Sequence, residues 1–355
     1  MAAIKDMLNK VTGSSKLATV PLGKNGPQVT RMGIGLMGLS AFYGAVKPDS
    51  ERLAFLDALY ASGELFWDSA DMYLDNEDLI GKWLAQNPDK RKDIFLATKF
   101  ANKTLPDGTR AVDSTPEYCR QACEKSLKRL GIPTIDLYYA HRLDGKTPVE
   151  KTVEAMAQLK AEGKINHLGL SECSAESLRR AHKVHPITAV QIEYSPWALD
   201  IERPEIGLLK ACRELGVAVV AYSPIGRGIM SGNYRSPADF EEGDFRRWAP
   251  RFSEENFAKN LVLVDRIGEI AKAKGVTPTQ LTLAWLMAQG DDVVPIPGTT
   301  RVERLKENLG ALEVRLTDEE KKEIREISES AEIAGGRYPE GFSSSLFADT
   351  PPLNA

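Results

Sequence analysis

Four residues that could together move a proton each lie at or just beyond the end of an apolar run. Asp68 ends the run in ELFWDSA, Tyr73 lies just beyond it, Lys99 ends the run in DIFLATKF, and His141 ends TIDLYYAH. An acid, a phenol, an amine and an imidazole suit proton transfer to a carbonyl oxygen. None of them donates hydride, so a reduction at this site would need a cofactor.

The amine could adjust the acidity of the phenol. The ordinary pKa of tyrosine is ~10, and an ammonium ~4 Å away would stabilise the phenolate by ~4 kcal/mol at an effective dielectric constant of ~20. We therefore expect Lys99 to bring the pKa of Tyr73 closer to neutrality. Asp68 would hold Lys99 protonated, and His141 would orient the carbonyl or share the proton. Taken singly, each residue also fits a structural role, and it is their joint placement that favours chemistry.

Eight units of strand and helix would position these residues. The strand-like runs are RMGIG, ELFWDSA, DIFLATKF, TIDLYYAH, INHLGLSE, ITAVQIEYS, VAVVAYSPIG and VVPIPGTT, and amphipathic segments separate them. Strands buried on both faces and separated by helices favour a parallel sheet. Eight such units predict an α/β fold, a closed (β/α)8 TIM barrel, because closure leaves no sheet edge. Chemistry in such a barrel gathers at the C-terminal ends of the strands.

Segments outside the eight units predict additions to the barrel. ATVPLG and PQVTRM around KNG indicate a hairpin that caps the barrel bottom. Thr317 with Glu320 three residues later predicts a capped extra helix. We expect an N-terminal arm over 1–17, one barrel domain over 18–334 and a C-terminal loop or tail over 335–355.

Composition narrows the classes of partner. The chain has 355 residues, 42% hydrophobic and 27% charged, with a net charge of -4. This balance argues against nucleic acid or an anionic membrane as a partner, and no apolar stretch approaches the ~20 residues of a membrane span. Four cysteines without a C-x-x-C pair, and only four histidines, argue against a metal site and for a reducing, cytoplasmic location. Oligomeric state cannot be read from the sequence.

The stretch RMGIGLMGLS has the G-x-G-x-x-G spacing of a dinucleotide-binding turn, at Gly33, Gly35 and Gly38. That motif needs a helix opening at its last glycine, but the chain continues with Gly44 and Pro48 before any helix signal. We therefore expect these glycines to end a strand and open a loop, outside any Rossmann fold.

Seven motifs in order resemble the aldo-keto reductases: WDSADMY, LATKF, LYYAHRLD, GLSE, VQIEYS, AYSPIGRG and IPGTTRVERLKENL. The similarity spans roughly residues 18–316 and looks closest to the microbial and plant branch that reduces varied aldehydes and, in one group, pyridoxal. It implies reduction of a small-molecule carbonyl substrate by NADPH. It also implies that Tyr73 is the general acid, with Lys99 and Asp68 as its tuners and His141 orienting the carbonyl.

The same resemblance implies a set of cofactor contacts. The loop after the first strand would touch the nicotinamide ribose, Tyr222 would stack under the nicotinamide ring, and Ser171 and Gln191 would bind its carboxamide. Glu172 departs from the asparagine of many relatives, and a carboxylate cannot donate to the carboxamide oxygen. The further residues expected at the cofactor are Gly35, Leu36, Met37, Asp68, Ser223, Pro224, Ile225, Gly226, Arg227, Gly228, Ile296 and Gly298.

The last motif predicts which nicotinamide cofactor is used. Arg301 and Arg304 lie three residues apart at the opening of a helix, where guanidinium groups could grip a 2′-phosphate. Thr299 and Thr300 add hydroxyl groups, and related reductases hold the adenine with residues that correspond to Glu307 and Asn308. We expect NADPH in preference to NADH. Alternatively, both arginines are ordinary exposed helix residues, with Arg304 paired to Glu307.

Two other functions can be weighed against the sequence. A redox-sensing, cofactor-binding subunit remains open, since the potassium-channel β-subunits resemble this family too. A metal-dependent barrel hydrolase is disfavoured by the single strand-end histidine. Aromatic candidates for the substrate pocket are Phe42, Tyr43, Trp197 and Trp248, and the sequence does not identify the substrate.

Overall fold

A computed structural model describes residues 17–105, 107–341 and 345–353. The expected N-terminal arm over 1–17 therefore lies outside the described residues, apart from Leu17. Within the described ranges, no helix is long and apolar enough to cross a membrane.

The central sheet has eight parallel strands, each hydrogen-bonded to the next along the chain. They are β1 (Ile34–Gly35), β2 (Phe66–Asp68), β3 (Phe95–Phe100), β4 (Ile135–Ala140), β5 (Ile165–Ser171), β6 (Ala189–Glu193), β7 (Ala218–Tyr222) and β8 (Val293–Pro295). The amide of Gly33 donates to the carbonyl of Pro295 at 2.9 Å, and Gly35 forms a parallel bridge with Gly298. These contacts close the sheet, and the predicted (β/α)8 barrel is confirmed.

Ten α-helices are described outside the barrel strands. They are α1 (Asp49–Ala61), α2 (Asn76–Gln86), α3 (Pro116–Leu130), α4 (Val149–Ala161), α5 (Ala175–Val184), α6 (Leu208–Leu215), α7 (Glu254–Lys274), α8 (Pro278–Met287), α9 (Val302–Gly310) and α10 (Asp318–Ser330). The apolar faces of helices and strands share one core, while a smaller apolar cluster fills the barrel interior.

The predicted hairpin and extra helix are both present. Strands Thr19–Pro21 and Gln28–Thr30 pair antiparallel, and the hairpin packs Val20, Leu22 and Val29 against the apolar interior of the barrel. The extra helix α10 begins at Asp318, with reciprocal hydrogen bonds between Thr317 and Glu320. The hairpin therefore covers one end of the barrel and leaves the other for the site.

Two connections carry structure that the sequence reading did not foresee. A hairpin, Asn102–Thr104 with Arg110–Val112, follows β3. The loop after β1 forms a short 3-10 turn, Met37–Leu39, and α1 begins only at Asp49. The glycine motif therefore opens a loop, as expected.

Candidate active site

The strand ends bring the four predicted residues together. Lys99 Nζ donates to Asp68 Oδ1 at 2.5 Å and to the carbonyl of Ser69 at 2.6 Å, and it lies 5.1 Å from the ring centroid of Tyr73. The rings of Tyr73 and His141 meet edge to face, with centroids 5.9 Å apart. An ion pair thus lies behind a phenol and an imidazole that both line one cavity.

The Lys99–Asp68 pair is sealed from solvent. Burial raises the pKa of Asp68 and lowers that of Lys99, and the attraction between the two groups opposes both shifts. Gln191 Nε2 donates to the other oxygen, Asp68 Oδ2, at 2.8 Å. The carboxylate is therefore held on both oxygens.

The expected effect of Lys99 on Tyr73 is not found. Burial, followed by the Asp68 carboxylate, raises the pKa of Tyr73 well above its ordinary value. The physical reason is that burial and the charge of Asp68, which is in direct contact with Lys99, together outweigh the attraction of the Lys99 ammonium. A raised pKa keeps Tyr73 in its protonated form near neutral pH, which is the form that can donate a proton.

Neither ring nitrogen of His141 forms a hydrogen bond with a described residue. Burial, then the charges of Arg142 and Lys99, lower the pKa of His141 well below its ordinary value. Its Nδ1 is buried and has no hydrogen-bond partner among the described residues. A neutral ring can offer either a donor or an acceptor to a ligand oxygen.

A cavity of about 690 Å³ opens at these strand ends. Most residues predicted for the cofactor line it: Gly35, Met37, Asp68, Gln191, Tyr222, Ser223, Pro224, Ile225, Arg227, Gly228, Ile296, Gly298, Thr300, Arg301 and Arg304. The predicted residues absent from its wall are Leu36, Ser171, Glu172, Gly226, Glu307 and Asn308. Leu36, Ser171, Glu172 and Asn308 are buried by neighbouring protein groups.

Glu172 has protein partners on both oxygens. Tyr222 donates its hydroxyl to Glu172 Oε1 at 2.7 Å, and Arg337 donates to Glu172 and, at 2.8 Å, to the Tyr222 hydroxyl. The neighbouring Tyr338 also lines the cavity. Segment 335–355, read from the sequence as a loop or tail, thus contributes to the site, and no short-range pattern indicated this.

Arg301 and Arg304 lie at the first turn of α9 and line the same cavity. Among the described residues neither takes part in an ion pair, so the alternative pairing of Arg304 with Glu307 is absent. The backbone amide of Arg301 donates to Thr299 Oγ1 at 3.1 Å. Two cations at a helix N-terminus therefore face the cavity.

Two of the four aromatic pocket candidates lie elsewhere. Phe42 and Tyr43 line the cavity. Trp197 is buried and packs its ring on Phe252, with centroids 5.3 Å apart, and Trp248 is 64% exposed outside the cavity. Large aromatic residues fit a core or a surface as well as a pocket, so residue type alone did not separate them. In the described ranges no group of three or more metal-ligating side chains occurs.

Comparisons with known proteins show what this chain is similar to. The sequence model of the Aldo/keto reductase family matches residues 31–329. The aldo-keto reductase yakc of Schizosaccharomyces pombe, named for NADP(+), is 52% identical over 339 residues, covering 94% of this chain and 99% of that protein. The aldo-keto reductase str7 of Strobilurus tenacellus is 52% identical over 322 residues, covering 91% of this chain and 94% of that protein.

Solved structures share the fold. A thermostable aldo-keto reductase, Tm1743, in complex with the inhibitor epalrestat, is 29% identical with a TM-score of 0.70, covering 88% of this chain and all of that one. The glycerol dehydrogenase AKR11B4 of Gluconobacter oxydans is 25% identical with a TM-score of 0.77, and the match covers 94% of this chain and 98% of that one.

Proposed function

Since this chain belongs to the aldo/keto reductase family and is an NADP(H)-dependent oxidoreductase, we propose that it reduces aldehydes and ketones to alcohols with Tyr73 as the general acid. The observation that carries the proposal is the meeting of Tyr73 and His141, 5.9 Å apart between ring centroids, in front of the buried Lys99–Asp68 pair. Within the family, we place the chain in the branch that reduces varied aldehydes, including pyridoxal.

The residues of the cavity fit a phosphorylated dinucleotide. Arg301 and Arg304 lack carboxylate partners among the described residues, and they lie at the N-terminal end of α9, where an anion is favoured. Tyr222 presents an aromatic side chain to the same cavity, close to the strand ends that carry the catalytic residues. When bound, NADPH supplies the hydride that this chain lacks.

The protein's own residues handle the proton. Tyr73 holds its proton because its pKa is raised, and it releases the proton to the carbonyl oxygen as negative charge develops there. Neutral His141 directs that oxygen toward Tyr73 through one ring nitrogen. The Lys99 ammonium stabilises the phenolate that remains, and Asp68 keeps the ammonium in place.

The test is turnover of NADPH with a panel of aldehydes and ketones, including pyridoxal, followed by NADPH absorbance. Rapid multiple turnover with at least one aldehyde is expected. Tight cofactor binding without turnover on the whole panel would contradict the proposal and favour the redox-sensing subunit instead.

A further inference from the structure

Arg142, next to the proposed carbonyl-orienting His141, is a cation that forms no ion pair with any described residue. It lines the cavity, and its Nη1 donates to the carbonyl of His141 at 2.6 Å and to Ser171 Oγ at 3.3 Å. None of the ion pairs among the described residues includes Arg142, and neither its Nε nor its Nη2 donates to a described residue. Ser171, which accepts this bond, is buried and does not line the cavity.

The surrounding charges leave positive charge in excess. Glu193 accepts from Arg337 at 2.9 Å and lies 3.4 Å from Arg227 and 3.7 Å from Arg251, while Glu172 pairs with Arg337. Arg227, Arg251 and Arg337 thus share these two carboxylates, and Glu172 attracts Arg142 only from beyond ion-pair distance. A cation in a poorly hydrated site is costly unless a ligand supplies the missing anion.

Other carboxylates on the cavity wall are already engaged. Asp144 accepts from the backbone amides of Lys146 and Thr147, and Asp349 accepts from the hydroxyl of Ser177 at 2.7 Å. Lys99 fully occupies one oxygen of Asp68. Of these three carboxylates on the described wall, none forms an ion pair with Arg142.

We propose that Arg142 binds a carboxylate of the substrate, and that aldehydes or ketones carrying a carboxylate are the preferred substrate class. This inference rests on the proposed carbonyl reduction. The planar fork of a guanidinium matches a carboxylate with two parallel hydrogen bonds. The substrate is the favoured source of the anion because Arg142 is adjacent to His141, whereas Arg301 and Arg304 supply cations for the cofactor phosphate at a different strand end.

The test compares two substrates of nearly the same shape, 4-carboxybenzaldehyde and its neutral methyl ester, methyl 4-formylbenzoate. In the wild-type protein, kcat/KM for the acid should exceed that for the ester by about tenfold or more, since only the acid can form a charge-assisted hydrogen bond with Arg142. Arg142→Met should remove this advantage mainly through KM of the acid, and should lower kcat/KM for the ester much less than for the acid. The Kd of NADPH, measured by quenching of protein fluorescence, should stay within about twofold.

Two variants keep the test interpretable. Arg142→Lys retains the charge but not the fork, and should retain part of the preference for the acid. Arg120→Met removes a surface arginine that pairs with Glu162 at 2.8 Å. This variant should leave kcat/KM unchanged for both substrates. Equal kcat/KM for acid and ester in the wild type would overturn the inference. So would weaker NADPH binding in Arg142→Met, which would assign Arg142 to the cofactor. If the wild type reduces neither compound nor any of the panel, the proposed function itself has failed.

A second, independent observation concerns the loop that carries Tyr73. Arg129 of α3 donates to the carbonyl of Asp71 at 3.1 Å and to the carbonyl of Leu74, so it holds the chain on both sides of Tyr73. Leu74 has a left-handed backbone, with φ of 51°, which an isolated leucine avoids. Arg129 also pairs with the buried Glu77 at 3.1 Å. The geometry points to Arg129 as a positioning residue that fixes where the Tyr73 hydroxyl lies.

Replacing Arg129 separates positioning from general stability. Arg129→Met should lower kcat by about tenfold or more at a temperature well below its unfolding transition, with the Kd of NADPH within about twofold. Hydrogen exchange of the Tyr73–Asn76 amides should quicken. Arg129→Lys, which can still reach one carbonyl, should recover part of kcat, and Arg120→Met on the same helix should behave as the wild type. An unchanged kcat in Arg129→Met, with only a lower unfolding temperature, would show that Arg129 is structural.

Discussion

The ammonium of Lys99 lies 2.5 Å from Oδ1 of Asp68, and the two side chains are 0% and 3% exposed. An ion pair this deeply buried is an expensive way to stabilise a barrel, because apolar residues of similar volume often serve as well. Its position directly behind Tyr73 instead fits a role in proton transfer.

Lys99→Met should reduce turnover by at least about 100-fold, because the phenolate of Tyr73 loses its nearest cation. The variant also leaves Asp68 buried and unpaired, so the free energy of unfolding should fall by about 3–5 kcal/mol. Single-turnover oxidation of NADPH and urea unfolding measure the two effects.

The double variant Lys99→Met/Asp68→Asn distinguishes catalysis from stability. Removing both charges should restore much of the free energy of unfolding but none of the turnover. Recovery of turnover in the double variant would mean that the pair is only structural.

The sequence predicted the parts of the site that follow a regular period. Asp68 is the last residue of its strand, Lys99 the last but one, and His141 follows its strand directly. The apolar run of each strand is clear in the sequence, and parallel strands bring their ends to one side of a barrel. The hairpin after β3 was missed, although Asp107-Gly108 between two short runs is a turn signal.

Local sequence patterns do not predict contacts between residues that lie far apart in the chain. Arg337 reaches Glu172 across 165 positions from a segment without helix or strand periodicity, and no local signal links the two. The unpaired state of Arg142 likewise depends on which neighbours engage Glu172 and Glu193. The pKa of Tyr73 differs from the expectation for the same reason, since it depends on burial and on the charge of Asp68 beside Lys99.

Tyr222→Ala should weaken NADPH binding about fivefold or more, because an aromatic face worth on the order of 1 kcal/mol is lost. Tyr222→Phe keeps the ring and loses only the hydroxyl bonds to Glu172 and Arg337, so its NADPH affinity should stay close to that of the wild type. Fluorescence titration with NADPH measures both. Unchanged NADPH affinity in Tyr222→Ala would show that Tyr222 is a structural residue of the barrel wall and does not bind the cofactor.

Glu64 should make stability depend on pH. Burial raises the pKa of Glu64 from 4.5 to about 8, its Oε1 accepts from Thr30 at 2.6 Å, and its Oε2 has no partner among the described residues. Between these pH values the folded state holds a proton that the unfolded state has lost. Below about pH 4.5 the burial of Glu64 therefore does not make the free energy of unfolding depend on pH. Between that pH and about pH 8, Glu64 lowers the free energy of unfolding by up to about 1.4 kcal/mol per pH unit.

Glu64→Gln cannot ionise and should flatten that slope. Urea unfolding at pH 5 and pH 8 measures this. Relative to the wild type, the free energy of unfolding of the variant should be higher at pH 8 than at pH 5. An identical pH dependence in both proteins would show that Glu64 is not the group responsible.

Arg304→Ala should raise the KM of NADPH about tenfold or more, and adding Arg301→Ala should raise it further, because charge-assisted bonds to the 2′-phosphate are lost. The KM of NADH should hardly change. Arg315→Ala, at an exposed arginine outside the cavity, serves as the control. Equal losses for the two cofactors would show that these arginines do not recognise the phosphate.

The central claim is that Tyr73 donates the proton, and Tyr73→Phe tests it most directly because only the hydroxyl is removed. Single-turnover oxidation of pre-bound NADPH by an aldehyde that the wild type reduces should slow by about 100-fold or more, with the Kd of NADPH within about twofold. A single-turnover rate close to that of the wild type would contradict the account.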